Sequence, residues 1–131
     1  MRMLLLVSHG SRRTESNDEV RRLAEQVAQL AGPAFEKVAC AFLELTSPMI
    51  DSAIAEMAGE GATEIVLFPF FLAAGTHVVN DIPRIIEEAR GKFPDVAIMV
   101  ISHLGAVPEL STLILNHVER STSSSDGTTP C

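Results

Sequence analysis

The stretch MLLLVSHGSR, residues 3–12, decides the fold. Five apolar residues run without a polar interruption and then stop at Ser8, His9 and Gly10. A run of that length, ended by a polar turn, suits a strand buried on both faces of a parallel sheet. Beyond it the spacing changes. Val20, Leu23, Ala24, Val27, Leu30 and Ala31 recur at helical intervals until Gly32-Pro33 stops them. Ser16 and Glu19 fit a capping box for this helix, with Thr14 as an earlier start.

The alternation continues to the end of the chain. Residues 38–45 (VACAFLEL) form a second strand candidate. Ser47-Pro48 then offers an N-cap followed by proline at the first helical position. Met49, Ile50, Ala53, Ile54 and Met57 make the apolar stripe of that helix, which Gly59 and Gly61 end. Residues 65–71 read as a third strand, with Pro69 marking its end or an edge position. LAAGTHVVND, residues 72–81, reads as a loop before a helix carrying Ile82, Ile85, Ile86 and Ala89, with Pro83 confined to the first turn. Residues 96–102 are the fourth strand. A last helix from near Pro108 is expected to bury Leu110, Leu113, Ile114 and Val118.

Four β-α units in succession define an α/β fold: a four-stranded parallel sheet with helices on both faces, flavodoxin-like in layout. Residues 1–119 make a single domain, and the Ser/Thr-rich residues 120–131 are expected to be a disordered tail.

Composition limits the function. The 131 residues are 47% hydrophobic and 21% charged, in proportions suited to a folded core. Ten basic against seventeen acidic residues give a net charge of −7, which disfavours nucleic acid as a partner. The longest apolar runs, residues 3–7 and 65–74, fall short of a membrane span, and no signal peptide is visible. Cys40 and Cys131 form no disulfide framework or metal motif. A cytoplasmic protein with no membrane partner is expected.

Open parallel sheets bind ligands beyond the carboxyl ends of their strands, at a topological switch point. Strand one is followed by Ser8-His9-Gly10-Ser11-Arg12, strand two ends near Glu44, strand three leads to Gly75-Thr76-His77, and strand four to Ser102-His103. In a strand order of 2-1-3-4, His9 and His77 flank the switch point, with Glu44 to one side. Two imidazoles with a carboxylate suit a borderline divalent metal, and the same imidazoles can accept protons near neutral pH. Plainer roles are open to each residue: a loop position for His103, a surface position for His117, a tight turn for Gly10, a helix cap for Ser11, solvated charges for Arg12 and Arg13. The sequence contains no G-x-S-x-G elbow, phosphate-binding P-loop or dinucleotide turn.

LLLVSHGSR (residues 4–12), AFLELTSP (41–48), FPFFLAAGTHVVNDIP (68–83) and a late Leu-Gly before a helix resemble the small CbiX-type sirohydrochlorin chelatases of the class II chelatase family. The resemblance implies a chelatase-like half. It also implies ATP-independent insertion of Co²⁺, Fe²⁺ or Ni²⁺ into sirohydrochlorin, with the metal as substrate and no tightly bound cofactor. His9 and His77 match the family's active-site histidines, Glu44 its carboxylate after strand two, and a short chain of this kind is expected to form a homodimer. Ser11 and Arg12 are candidate donors to the carboxylates of the tetrapyrrole. A non-catalytic metal or tetrapyrrole carrier of the same fold is the alternative, and a histidine phosphotransfer enzyme is a more distant one.

Overall fold

The computed structural model describes residues 1–73 and 75–123, with the backbone alone for residues 76–79. Four strands, β1 (Arg2–Ser8), β2 (Lys37–Phe42), β3 (Glu64–Pro69) and β4 (Ala97–Val100), alternate with helices α1 (Thr14–Ala31), α2 (Ile50–Gly59), α3 (Thr76–Lys92) and α4 (Leu110–Thr122). All strand pairs are parallel and the order is β2-β1-β3-β4, as the strand-end argument requires.

Side chains alternate across the sheet. Met3, Leu5 and Val7 of β1, Ile65 and Leu67 of β3, and Ile98 of β4 point to one face. There they join Ile50, Ala53, Ile54 and Met57 of α2 and Ile82, Ile86 and Ala89 of α3 in one core. On the other face α1 lies over β2 and buries Val20 and Ala24. The amino-terminal edge of the sheet is held by polar pairs: Arg2 with Glu64 at 2.6 Å, Lys37 with Glu60 at 2.8 Å, and the Met1 ammonium donating to the Thr63 hydroxyl at 2.7 Å.

Several boundaries differ from expectation. α1 starts at Thr14 behind Arg13 and has no side-chain cap, so the Ser16–Glu19 capping box does not form. Residues 47 and 48 stay outside α2, because the Pro48 carbonyl accepts from the Phe42 N–H and the Ser47 carbonyl from Arg21; the peptide between them is cis. α3 begins at Thr76, within the segment expected to be a loop, and places Pro83 inside the helix. The packing of Ile82, Ile86 and Ala89 into the core holds that helix despite the hydrogen bond that proline cannot donate. β4 is shorter than expected, although the Ile101 N–H continues the ladder to the Leu67 carbonyl.

The last helix departs furthest. α4 buries none of its residues, and Leu113, Ile114 and Val118 are exposed rather than packed. It also runs to Thr122, three residues into the segment expected to be tail, where the Thr122 hydroxyl donates back to the Val118 carbonyl. The expected tail beyond residue 123 lies outside the described residues.

Candidate active site

The site is assembled from loops that leave the carboxyl edge of the sheet. β1 ends at Ser8, and the next turn is tied to the end of β2 by two backbone bonds: Leu43 N–H to the Ser8 carbonyl (2.9 Å) and Glu44 N–H to the His9 carbonyl (3.1 Å). His9 and Glu44 are therefore neighbours through the main chain, and both are exposed. Between them Gly10 has φ +89°, and a side chain there would overlap the Glu44 carbonyl. Only glycine meets both demands.

Asn17, in the first turns of α1, fixes the far side of the turn. It is the one buried polar residue among those described. Its carboxamide accepts from the Ser11 N–H (2.9 Å) and donates to the Ser11 carbonyl (2.8 Å). The Ser11 hydroxyl accepts from the Arg13 N–H (3.0 Å). Arg12 is exposed at this turn.

The β2–α2 loop carries Glu44 and is held from α1 by Arg21. Its guanidinium donates to the Ser47 carbonyl (2.9 Å) and the Thr46 hydroxyl (3.2 Å), pairs with Asp18 (2.9 Å), and stacks 5.1 Å from the Phe42 ring centre. Leu45, next to Glu44, has φ +71°, a conformation costly for a branched side chain. Strain of this kind collects at functional loops.

β3 ends at Pro69, where the Phe70 N–H donates to the Val7 carbonyl (2.7 Å). Phe71 is buried, and its ring meets the His9 imidazole edge-on with centroids 4.6 Å apart. Gly105, in the short 3-10 turn after His103, donates to the Phe71 carbonyl (3.0 Å) and leaves no room for a Cβ beside the Leu72 carbonyl. The chain then enters α3, whose first turn contains His77. The structure thus puts His77 on a helix rather than in a loop. Its side chain lies outside the described residues.

The strand order brings the turn of His9 and the lead into α3 to adjacent strand ends, with Glu44 on the other side of His9. Among the described residues no three of His, Cys, Asp and Glu converge as a metal-binding group. His103 immediately precedes the 3-10 turn Leu104–Ala106, and His117 sits on exposed α4. Leu45, Met49 and Leu72 expose apolar surface on these loops. A cavity of about 240 Å³ opens beside Glu44 between α2 and α3 and reaches Met49, Asp81 and Arg84. Asn17, Arg21 and Phe71 escaped the strand-end argument, which did reach Gly105 after the fourth strand. For Asn17 the available signal was a short polar residue six positions beyond a Gly-Ser turn.

An open parallel sheet with helices on both faces defines an α/β protein of the three-layer class, and the histidine turn tied to Glu44 stands at the strand ends where such sheets bind ligands. The chain belongs to the CbiX family, whose model matches residues 3–121. It is 34% identical over 116 residues to the sirohydrochlorin cobaltochelatase of Sulfurisphaera tokodaii, which covers 88% of this chain and 90% of that protein. Its fold is similar to a CbiX protein of Marinobacter aquaeolei VT8, with TM-score 0.79, 28% identity and coverage of 92% and 96%. It is also similar to the sirohydrochlorin chelatase SirB of Bacillus subtilis subspecies spizizenii in complex with cobalt, with TM-score 0.76 and 26% identity. That match covers 92% of this chain and 49% of SirB, so the chain spans about half of that enzyme. No described helix is long and apolar enough to cross a membrane.

Proposed function

We propose that this chain is a sirohydrochlorin chelatase, which inserts Co²⁺, Fe²⁺ or Ni²⁺ as substrate into the macrocycle without ATP, and that it acts as a homodimer. The observation that carries this reading is the family match across residues 3–121, joined to a cobaltochelatase relative aligned over nearly its full length.

Metal insertion expels two pyrrole N–H protons, so the site needs both ligands for the arriving ion and acceptors for protons. An imidazole can serve as either, and His9 and His77 are the candidates. They stand on the turn after β1 and the first turn of α3, which leave adjacent strands. Glu44, tied to the His9 carbonyl, adds a hard oxygen ligand. The Ser11 hydroxyl accepts from Arg13, which leaves its own proton for a substrate carboxylate, and Arg12 supplies a guanidinium on the same turn. Exposed Leu45, Met49 and Leu72 offer apolar contact to a flat ring.

The test is anaerobic incubation with sirohydrochlorin and each metal in turn, followed by absorbance. Repeated turnover is expected, and most of it is lost in His9→Ala and in His77→Ala while circular dichroism stays at the parental value. Binding of one equivalent without turnover would identify a carrier, and parental rates in His77→Ala would remove that residue from the site.

A further inference from the structure

Glu44 stands on a loop whose two legs are held differently. Main-chain bonds pin the near leg, from the Leu43 N–H to the Ser8 carbonyl and from the Glu44 N–H to the His9 carbonyl. The far leg returns to the sheet at Phe42, whose N–H donates to the Pro48 carbonyl (2.9 Å). Between the legs the backbone passes through Leu45 at φ +71°. Among the described residues, the only side chain that bonds to residues 45–47 is Arg21 of α1.

One guanidinium nitrogen of Arg21 donates to the Thr46 hydroxyl (3.2 Å) and the Ser47 carbonyl (2.9 Å), and another donates to Asp18 (2.9 Å). The fork itself has little freedom. Asp18 holds it from the same helix, and the fully buried Phe42 ring lies 5.1 Å beneath it. Asn17, which holds Ser11 from both sides, precedes Arg21 by four residues and so shares its face of α1. One helix face therefore grips both arms of the site: the turn of His9 through Asn17, and the loop of Glu44 through Arg21.

A guanidinium keeps its protons, so Arg21 cannot accept one from a pyrrole, and its charge repels an arriving divalent cation. Its use is geometric. We infer that Arg21 is a positioning residue, whose fork onto Thr46 and Ser47 sets where the Glu44 carboxylate meets the metal substrate. The inference rests on the proposed function in taking Glu44 as a metal ligand. Removing a group that orients a ligand in this way typically costs about 10–100-fold in metal affinity or activity.

The test measures Co²⁺ affinity by titration calorimetry, without tetrapyrrole, in the parent, Arg21→Met, Glu44→Gln and the double variant. Methionine keeps an apolar stem against Phe42 and removes every donor. Each single variant is expected to bind Co²⁺ about 10-fold more weakly or worse, and the double variant no more weakly than Glu44→Gln alone. Losing a positive charge near the site would by itself strengthen cation binding, so the sign separates positioning from the field of the arginine. Arg21→Lys leaves one donor for the Ser47 carbonyl and should recover part of the loss. Urea melts check that each variant is folded, and Arg21→Lys carries the same cycle with Glu44→Gln if Arg21→Met is not.

Unchanged or tighter Co²⁺ binding in the Arg21 variants, or losses that multiply in the double variant, would overturn the positioning role. So would a parent that binds no Co²⁺, or one whose affinity ignores Glu44→Gln. Turnover with sirohydrochlorin is followed on the same proteins. A parent that binds Co²⁺ with this coupling yet forms no metallated product would overturn the chelatase reading and leave Arg21 in its role.

Discussion

Gly10 lies directly against the carbonyl of Glu44, with no space for a β-carbon between them and a backbone angle that disfavours one. The turn bearing His9 and the loop bearing Glu44 are therefore one rigid unit, further tied by the Glu44 N–H to the His9 carbonyl. Gly10→Ala is expected to lower stability by about 1–2 kcal/mol from the backbone alone, with more from the overlap. It should also remove metal insertion, since the two loops must separate. Gly91, inside α3 with open space around it, gives the contrast. Gly91→Ala should raise stability by roughly 0.5–1 kcal/mol. Urea melts of both variants measure the difference.

Asn17 holds Ser11 from both sides through its carboxamide. Asn17→Ala leaves a part-buried N–H and carbonyl without partners, at a cost of about 1–3 kcal/mol. Asn17→Asp keeps the acceptor for the Ser11 N–H but sets an oxygen against the Ser11 carbonyl, so it should rescue only part of the loss. Thermal melts rank the three proteins, and sirohydrochlorin binding should weaken in the same order.

The hydrogen bond from Lys37 to Glu60, with the Glu56 carboxylate also near, raises the lysine above its ordinary value of 10.5. A folded-state value above the unfolded one adds stability that is fully present below pH 10.5 and is lost as the pH rises through the folded value. The pair is largely solvated, so Lys37→Met should cost only about 0.2–1 kcal/mol at pH 7. The gap between parent and variant should start to narrow above pH 10.5. Denaturant curves at pH 7, 9 and 11 follow it, and a gap as large at pH 11 as at pH 7 would assign the effect to the lysine stem instead.

Burial pushes the Cys40 thiol up, against the smaller opposing pull of Arg21. Cys40 faces the α1 side of β2 and is half-buried. Little thiolate is then available at pH 8, so iodoacetamide should label it more slowly than a free thiol in a Cys131→Ser background. Labelling at the rate of the urea-unfolded chain would show that α1 does not shield it.

Much of this molecule was legible in the sequence because buried parallel strands and amphipathic helices have different apolar periods. The runs at residues 3–7 and 65–68 and the stripes of α1 and α2 carry that signal without ambiguity. The start of α3 was hidden by Pro83: the local cost of proline argues for a boundary, and only the packing of Ile82 and Ile86 outweighs it. For α4, periodicity announces an apolar face but says nothing about which surface meets it. The strand-end positions of His9, Ser11, Arg12 and Glu44, the residues of the proposed site, were legible. The contacts that fix them were not, because Asn17 with Ser11 and Gly105 with Leu72 depend on how loops approach in space.

The polar pairs at the amino-terminal edge, Arg2 with Glu64 and Lys37 with Glu60, stand at the opposite end of the strands from His9 and Glu44. A seven-residue strand separates the two by about 20 Å. Changes that far apart, sharing no partner, combine additively to within about 0.3–0.5 kcal/mol. One end of the sheet can therefore accumulate stabilising substitutions while the other explores new ligands. A lineage built on this scaffold is free to alter the residues around His9 and Glu44 without renegotiating how it folds.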